Sequence, residues 1–161
     1  MKKTTITLLL SLSCCWLAAQ CPTNVLFQRQ GQIDSFQINY PGCTDIPGLV
    51  GILDFQFAGD TIFNLNGLSS IETIGGYLEI GFNSFLTSLE GLNNLASVGG
   101  FVNIAENNAL LDLSGLENLR FIGQHLELLN NKSLMHLNGL NKLDSLLGDL
   151  WISDNALNSL E

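Results

Sequence analysis

Gly-Leu pairs return along this chain at a constant step of 24 residues: Gly67-Leu68, Gly91-Leu92, Gly115-Leu116 and Gly139-Leu140. An asparagine column keeps the same step at Asn83, Asn107, Asn131 and Asn155. A repeat this short cannot bury its own apolar face, so only stacking on its neighbours gives it a core. The chain is therefore expected to be a solenoid, with each coil touching only the coils beside it.

The apolar residues inside one period predict the path of a coil. Leu78 and Ile80, Val102 and Ile104, Leu126 and Leu128, and Leu150 and Ile152 each bracket one residue. That alternation predicts one short strand per coil, with the pair inward and the residue between them outward. Stacked coils would pair these strands in parallel, giving a mainly β architecture. The rest of the coil carries an apolar residue at every third position, as in Leu86, Leu89, Leu92, Leu95 and Val98. Spacing of three suits short extended segments and 3₁₀ turns better than a long helix. Gly67, Gly91, Gly115 and Gly139 are read as corners where the backbone turns tightly or takes positive φ. Gly75-Gly76 and Gly99-Gly100 mark a second corner. The asparagine column is placed in the turn after each strand, where a stacked amide satisfies backbone groups that no strand reaches. On that ground the formal glycosylation sequon Asn131-Lys132-Ser133 is discounted.

Three segments follow. Residues 1–19 read as a secretory signal: Lys2 and Lys3, an apolar run from Ile6, and small residues Ala18 and Ala19 before a cut at Gln20. The apolar run is shorter than the roughly 20 residues a membrane span needs. A lipoprotein cut at Cys21 is the alternative. Residues 20–49 are expected to be an N-terminal cap, with Ile33, Phe36 and Tyr40 on one face of a short helix that Pro41-Gly42 ends. After export Cys21 and Cys43 remain, and one disulfide is the simplest outcome, two free thiols the alternative. Residues 50–161 are the solenoid. Its first coil is irregular. Val50 and Ile52 align with Leu78 and Ile80 at a step of 28, while Leu53, Phe55 and Phe57 offer a competing strand register. The sequence stops at Glu161, where the next Gly-Leu is due. The expectation is a longer product, with edge pairing to another copy as the alternative.

Charge narrows the partners. Beyond the signal, four basic residues face fifteen acidic ones, a formal charge of −11. Such a surface repels phosphate backbones, so nucleic acid is excluded, and the membrane enters only through export. No zinc spacing, phosphate loop or nucleophile motif is present, so neither a metal nor a cofactor is expected. The outward strand positions are then the candidate binding face. One column is Tyr77, Phe101, His125 and Asp149; the next is Glu79, Asn103, Glu127 and Trp151. Aromatics beside acids and an amide suit a sugar ring or a protein loop. His125 with Glu127, or with Glu79 across coils, would be at most an acid–base pair or half a metal site, without a third member.

The stretch Ile74-Gly75-Gly76-Tyr77-Leu78-Glu79-Ile80, with Asn83, Leu89-Glu90-Gly91-Leu92, Leu95 and Val98-Gly99-Gly100, resembles the repeat of receptor L-domains. These are leucine-rich-repeat-like, right-handed β-helical modules of receptor ectodomains and bacterial secreted surface proteins. Cys21-Pro22, a short helix and Cys43-Thr44-Asp45-Ile46-Pro47-Gly48 resemble the disulfide-tied entry to such a domain. The resemblance covers about residues 21–161. It implies a secreted or cell-surface, non-enzymatic module that binds or adheres to an extracellular protein or glycan. It carries over no binding residues, because the motif does not fix them. A spacer solenoid without a ligand is the second expectation, and a polysaccharide-acting β-helix enzyme the third.

Overall fold

The structure is a computed structural model that describes residues 20–55 and 59–158. The leader expected over residues 1–19 lies outside the described residues, as do Phe57 and Glu161.

The chain is a parallel β solenoid whose strands repeat at the predicted step. The main sheet has six parallel strands in chain order. They are β1 (Val25–Phe27), β3 (Val50–Leu53), β5 (Leu78–Gly81), β7 (Val102–Ala105), β9 (Leu126–Leu129) and β11 (Leu150–Ser153). Four of these are the apolar pairs read from sequence. The competition in the first coil is decided: β3 pairs Val50 with Leu78 and Ile52 with Ile80, so the 28-residue step holds. The additional residues follow the strand. The buried Asp54 accepts a hydrogen bond from the Ile62 N–H at 3.0 Å, which returns the chain to the core.

Two features add to the predicted coil. The cap contributes a strand of its own, β1, which pairs in parallel with β3. Each coil also carries a second, two-residue strand just before the glycine corner: β2 (Asp45–Ile46), β4 (Thr73–Ile74), β6 (Ser97–Val98), β8 (Phe121–Ile122) and β10 (Ser145–Leu146). These form a five-stranded sheet of their own. The every-third-residue segment is a chain of tight turns. Leu92 N–H donates to the Leu89 carbonyl and Leu95 N–H to the Leu92 carbonyl, and Leu116 and Leu119 repeat the pattern. A turn closed three residues back returns every third side chain to the same side, which is why leucine recurs at that spacing.

All of these side chains meet in one core. In the coil Leu86, Leu89, Leu92, Leu95, Val98, Val102 and Ile104 each are 0% exposed. Burial of such side chains stabilises by about 1.5–3 kcal/mol apiece, before the entropy of ordering the chain is subtracted. The near end is closed by two short helices, α1 (Gln30–Asp34) and α2 (Phe36–Asn39), where one had been expected. Ile33 and Phe36 are buried, and the Phe36 ring packs on Phe27 and Tyr40. Gln30 is buried as well. Its side-chain oxygen accepts from the Phe63 and Asn64 N–H groups, and its amide donates to Asp34. Cys21 and Cys43 form a disulfide that ties the first described residues to the end of this cap. At the far end, Leu150 is 50% exposed, whereas Leu78, Val102 and Leu126 in its column are at most 1% exposed.

The glycine corners are close backbone contacts. Gly91, Gly115 and Gly139 have φ of 110°, 111° and 110°. A Cβ at Gly115 would stand 2.1 Å from the Leu89 carbonyl oxygen of the preceding coil. Gly67 shares the column but meets the Ile33 carbonyl of α1 instead, and its φ is not in the left-handed region.

Candidate functional site

The outer face of the main sheet carries the residues singled out in the sequence. Register sets their rows. Glu79 lies beside Asn103, Asn103 beside Glu127, and Glu127 beside Trp151. Tyr77, Phe101 and His125 precede β5, β7 and β9 by one residue, one coil apart. Their rings stack in sequence. Tyr77 and Phe101 have centroids 4.6 Å apart at 7°, and Phe101 and His125 are 5.6 Å apart at 12°. Asp149 occupies the next position of that column and continues no stack. Trp151, two residues on, stacks on His125 at 5.2 Å and 16°. A tryptophan indole is long enough to reach across from the neighbouring row, so four rings form one continuous ladder.

The polar row lies alongside. Asn103 Nδ2 donates to Glu127 Oε2 at 2.5 Å. His125 Nε2 stands 3.6 Å from Glu127 Oε1, an ion-pair distance beyond that of a good hydrogen bond. Among the described residues Glu79 and His125 make no contact, because Asn103 and its coil separate them. The acid–base pairing of those two suggested by sequence is therefore not formed. The His125–Glu127 pair has no third group, and no cluster of three or more His, Cys, Asp or Glu among the described residues would hold a metal ion. None of the described helices is long and apolar enough to cross a membrane.

Beneath this face runs the asparagine ladder, placed where the sequence put it. Asn83, Asn107 and Asn131 are all 0% exposed. Asn107 Nδ2 donates to the Ile80 carbonyl of the preceding coil at 2.9 Å, and Asn131 Nδ2 to the Ile104 carbonyl at 2.9 Å. The Oδ1 atoms of Asn107, Asn131 and Asn155 each accept the backbone N–H of the preceding asparagine: Asn83 to Asn107 at 3.2 Å, Asn107 to Asn131 at 3.0 Å, Asn131 to Asn155 at 3.0 Å. One amide thus satisfies both a donor and an acceptor that the sheet leaves over. Asn131 is occupied in this way, which leaves its sequon without an accessible amide.

One column beside the face was missed in the sequence reading. Phe82, Glu106, Asn130 and Asp154 follow the strands directly, and all four have φ between 57° and 61°. The left-handed conformation turns the chain inward so that the next residue joins the asparagine ladder. Asn and Asp tolerate that conformation better than most residues, so Asn130 and Asp154 were the available signal. Asn130 Nδ2 donates to the Glu106 carboxylate. Phe82 packs on Phe55 at 5.5 Å, and a shallow pocket of about 220 Å³ opens there, lined by Asp54, Phe55, Phe82, Ser84, Glu106 and Asn108.

No protein-family model matches the sequence, and no match to it is found among curated proteins.

Proposed function

We propose that this chain is a non-catalytic binding or adhesion module of the receptor L-domain kind, acting in the extracellular space within a larger surface protein. Its ligand is an extracellular protein or glycan, held on the outer face of the main sheet. The observation that carries this reading is the ladder Tyr77–Phe101–His125–Trp151, four aromatic side chains aligned at the surface beside Glu79, Asn103 and Glu127. Trp151 is 49% exposed. Amphipathic rings of this kind supply most of the energy at recognition surfaces. The disulfide Cys21–Cys43 supports an oxidising compartment and hence secretion or display at the cell surface.

A second reading, a spacer solenoid without a ligand, has one observation in its favour. The rings cover one another, and stacked pairs stabilise neighbouring coils by about 0.5–1.5 kcal/mol each whether or not anything binds. The test is the triple variant Y77A/F101A/W151A, probed with the parent on arrays of extracellular proteins and glycans. Loss of binding with the fold intact supports the module. Binding that survives the triple substitution removes this face from consideration. A parent that binds nothing, while the variant merely melts earlier, favours the spacer. Cleavage of a bound polysaccharide overturns the non-catalytic reading.

A further inference from the structure

The ladder's geometry bears on which ligand it fits. The rings stack along the direction in which the strands pair, at interplanar angles of 7°, 12° and 16°. The faces of Phe101 and His125 are therefore covered on both sides by neighbouring rings. What they turn to solvent is ring edges. A sugar is held by laying its C–H face on an open ring face, and the middle of this ladder presents none. Ring edges carry the positive end of the aromatic quadrupole, so they favour the face of another aromatic in T-shaped contact, or aliphatic stems.

Charge supplies a second, independent observation. Glu79, Glu127 and Asp149 border the ladder, and Glu106 and Asp154 follow two of the same strands. Among the described residues no hydrogen bond or ion pair engages the Glu79 carboxylate. The cations are committed or distant. Arg120 pairs with Asp144 at 3.1 Å, Lys142 Nζ donates to Asn118 at 2.8 Å, and Lys132 Nζ points to the Asp154 carbonyl. Arg29 belongs to the cap at the start of α1. The face is thus a row of ring edges flanked by carboxylates, with no Lys or Arg in its strand rows. His125 stands 3.6 Å from Glu127, whose other oxygen accepts from Asn103, and Glu79 is left for a partner's cation.

We propose that the partner of this face is a protein segment carrying Lys or Arg beside an aromatic residue, its cations at Glu79 and Glu127 and its aromatic face against the ladder's edges. This rests on the reading of the sheet face as the binding face and narrows it from protein or glycan to a cationic protein segment. A neutral glycan is the competing ligand, and it predicts different behaviour. Charge complementarity adds association rate and salt dependence; ring stacking on a sugar adds neither.

The experiment uses the secreted chain against short synthetic peptides graded in Lys, Arg and Trp content, alongside a glycan array. The variants are E79Q/E127Q, Y77A/F101A/W151A and, as a control, E90Q, which lies away from this face. Peptides combining cations with an aromatic are expected to bind best. E79Q/E127Q should weaken them about tenfold and flatten their salt dependence, with E90Q unchanged. Binding that ignores peptide charge, or glycans retained by E79Q/E127Q but lost by the ring variant, overturns this inference and leaves the binding face standing. Peptide or glycan binding untouched by either variant overturns both.

Discussion

Removal of a single ladder amide separates the contribution of the asparagine column from that of the leucines around it. Asn107→Ala deletes the Oδ1 that accepts the Asn83 N–H at 3.2 Å and the Asn83 Nδ2 at 2.9 Å. It also withdraws the Nδ2 donor from the Ile80 carbonyl at 2.9 Å. The Asn83 N–H is then stranded in a residue that is 0% exposed. A stranded buried donor costs about 1–3 kcal/mol, and each of the two further lost bonds about 1 kcal/mol, so the expected loss is about 3–5 kcal/mol. Against a typical total of about 5–15 kcal/mol that is a severe lesion. Asn155→Ala removes the corresponding acceptor from Asn131, but Asn155 is only partly buried, and water can replace it there. Its cost should be about 1 kcal/mol. Urea titration followed by circular dichroism and by Trp fluorescence compares the two, with coincident transitions establishing two-state behaviour. Equal losses for the two variants would show that the ladder is packing filler rather than the satisfier of buried backbone groups.

Further expectations concern the corners, the cap and one carboxylate. Gly115→Ala combines φ of 111° with a Cβ 2.1 Å from the Leu89 carbonyl, whereas Gly42→Ala at φ 75° meets nothing within 4 Å. The first should cost more than about 3 kcal/mol and the second about 1–2 kcal/mol of left-handed strain, read as shifts in thermal midpoint. The Cys21–Cys43 bond spans a sequence separation of 22, so replacing both cysteines by alanine should destabilise by about 3 kcal/mol in the chain-entropy model. Hydrogen bonds from Thr44 and then Thr73 hold the Asp45 carboxyl below its usual range, against a smaller opposing effect of burial. Its stabilisation is therefore fully present above the ordinary Asp value and is lost as pH falls through the depressed one. Thr73→Val should move the Asp45 titration, followed by carboxyl-carbon NMR, back upward.

The repeat step and the core-facing columns could be read without coordinates because a solenoid repeats one local solution. Leu86, Leu92 and Leu95 recur in the every-third pattern because each closes a three-residue turn, and that demand acts on neighbouring residues. The asparagine column was readable for a related reason: leftover backbone groups recur at the same point of every coil. Where the repeat breaks, local pattern loses its power. Val50–Ile52 and Leu53–Phe55 alternate equally well, and the choice fell to pairing with Leu78 and Ile80, with Asp54 held to the Ile62 N–H. The two-residue strands of the second sheet are too short to show alternation, so only their partners reveal them. The candidate face divides in the same way. Its columns follow from the alternation of side chains along each strand. That Trp151 rather than Asp149 extends the ring ladder follows from side-chain reach across rows, which exists only once five coils are stacked in space.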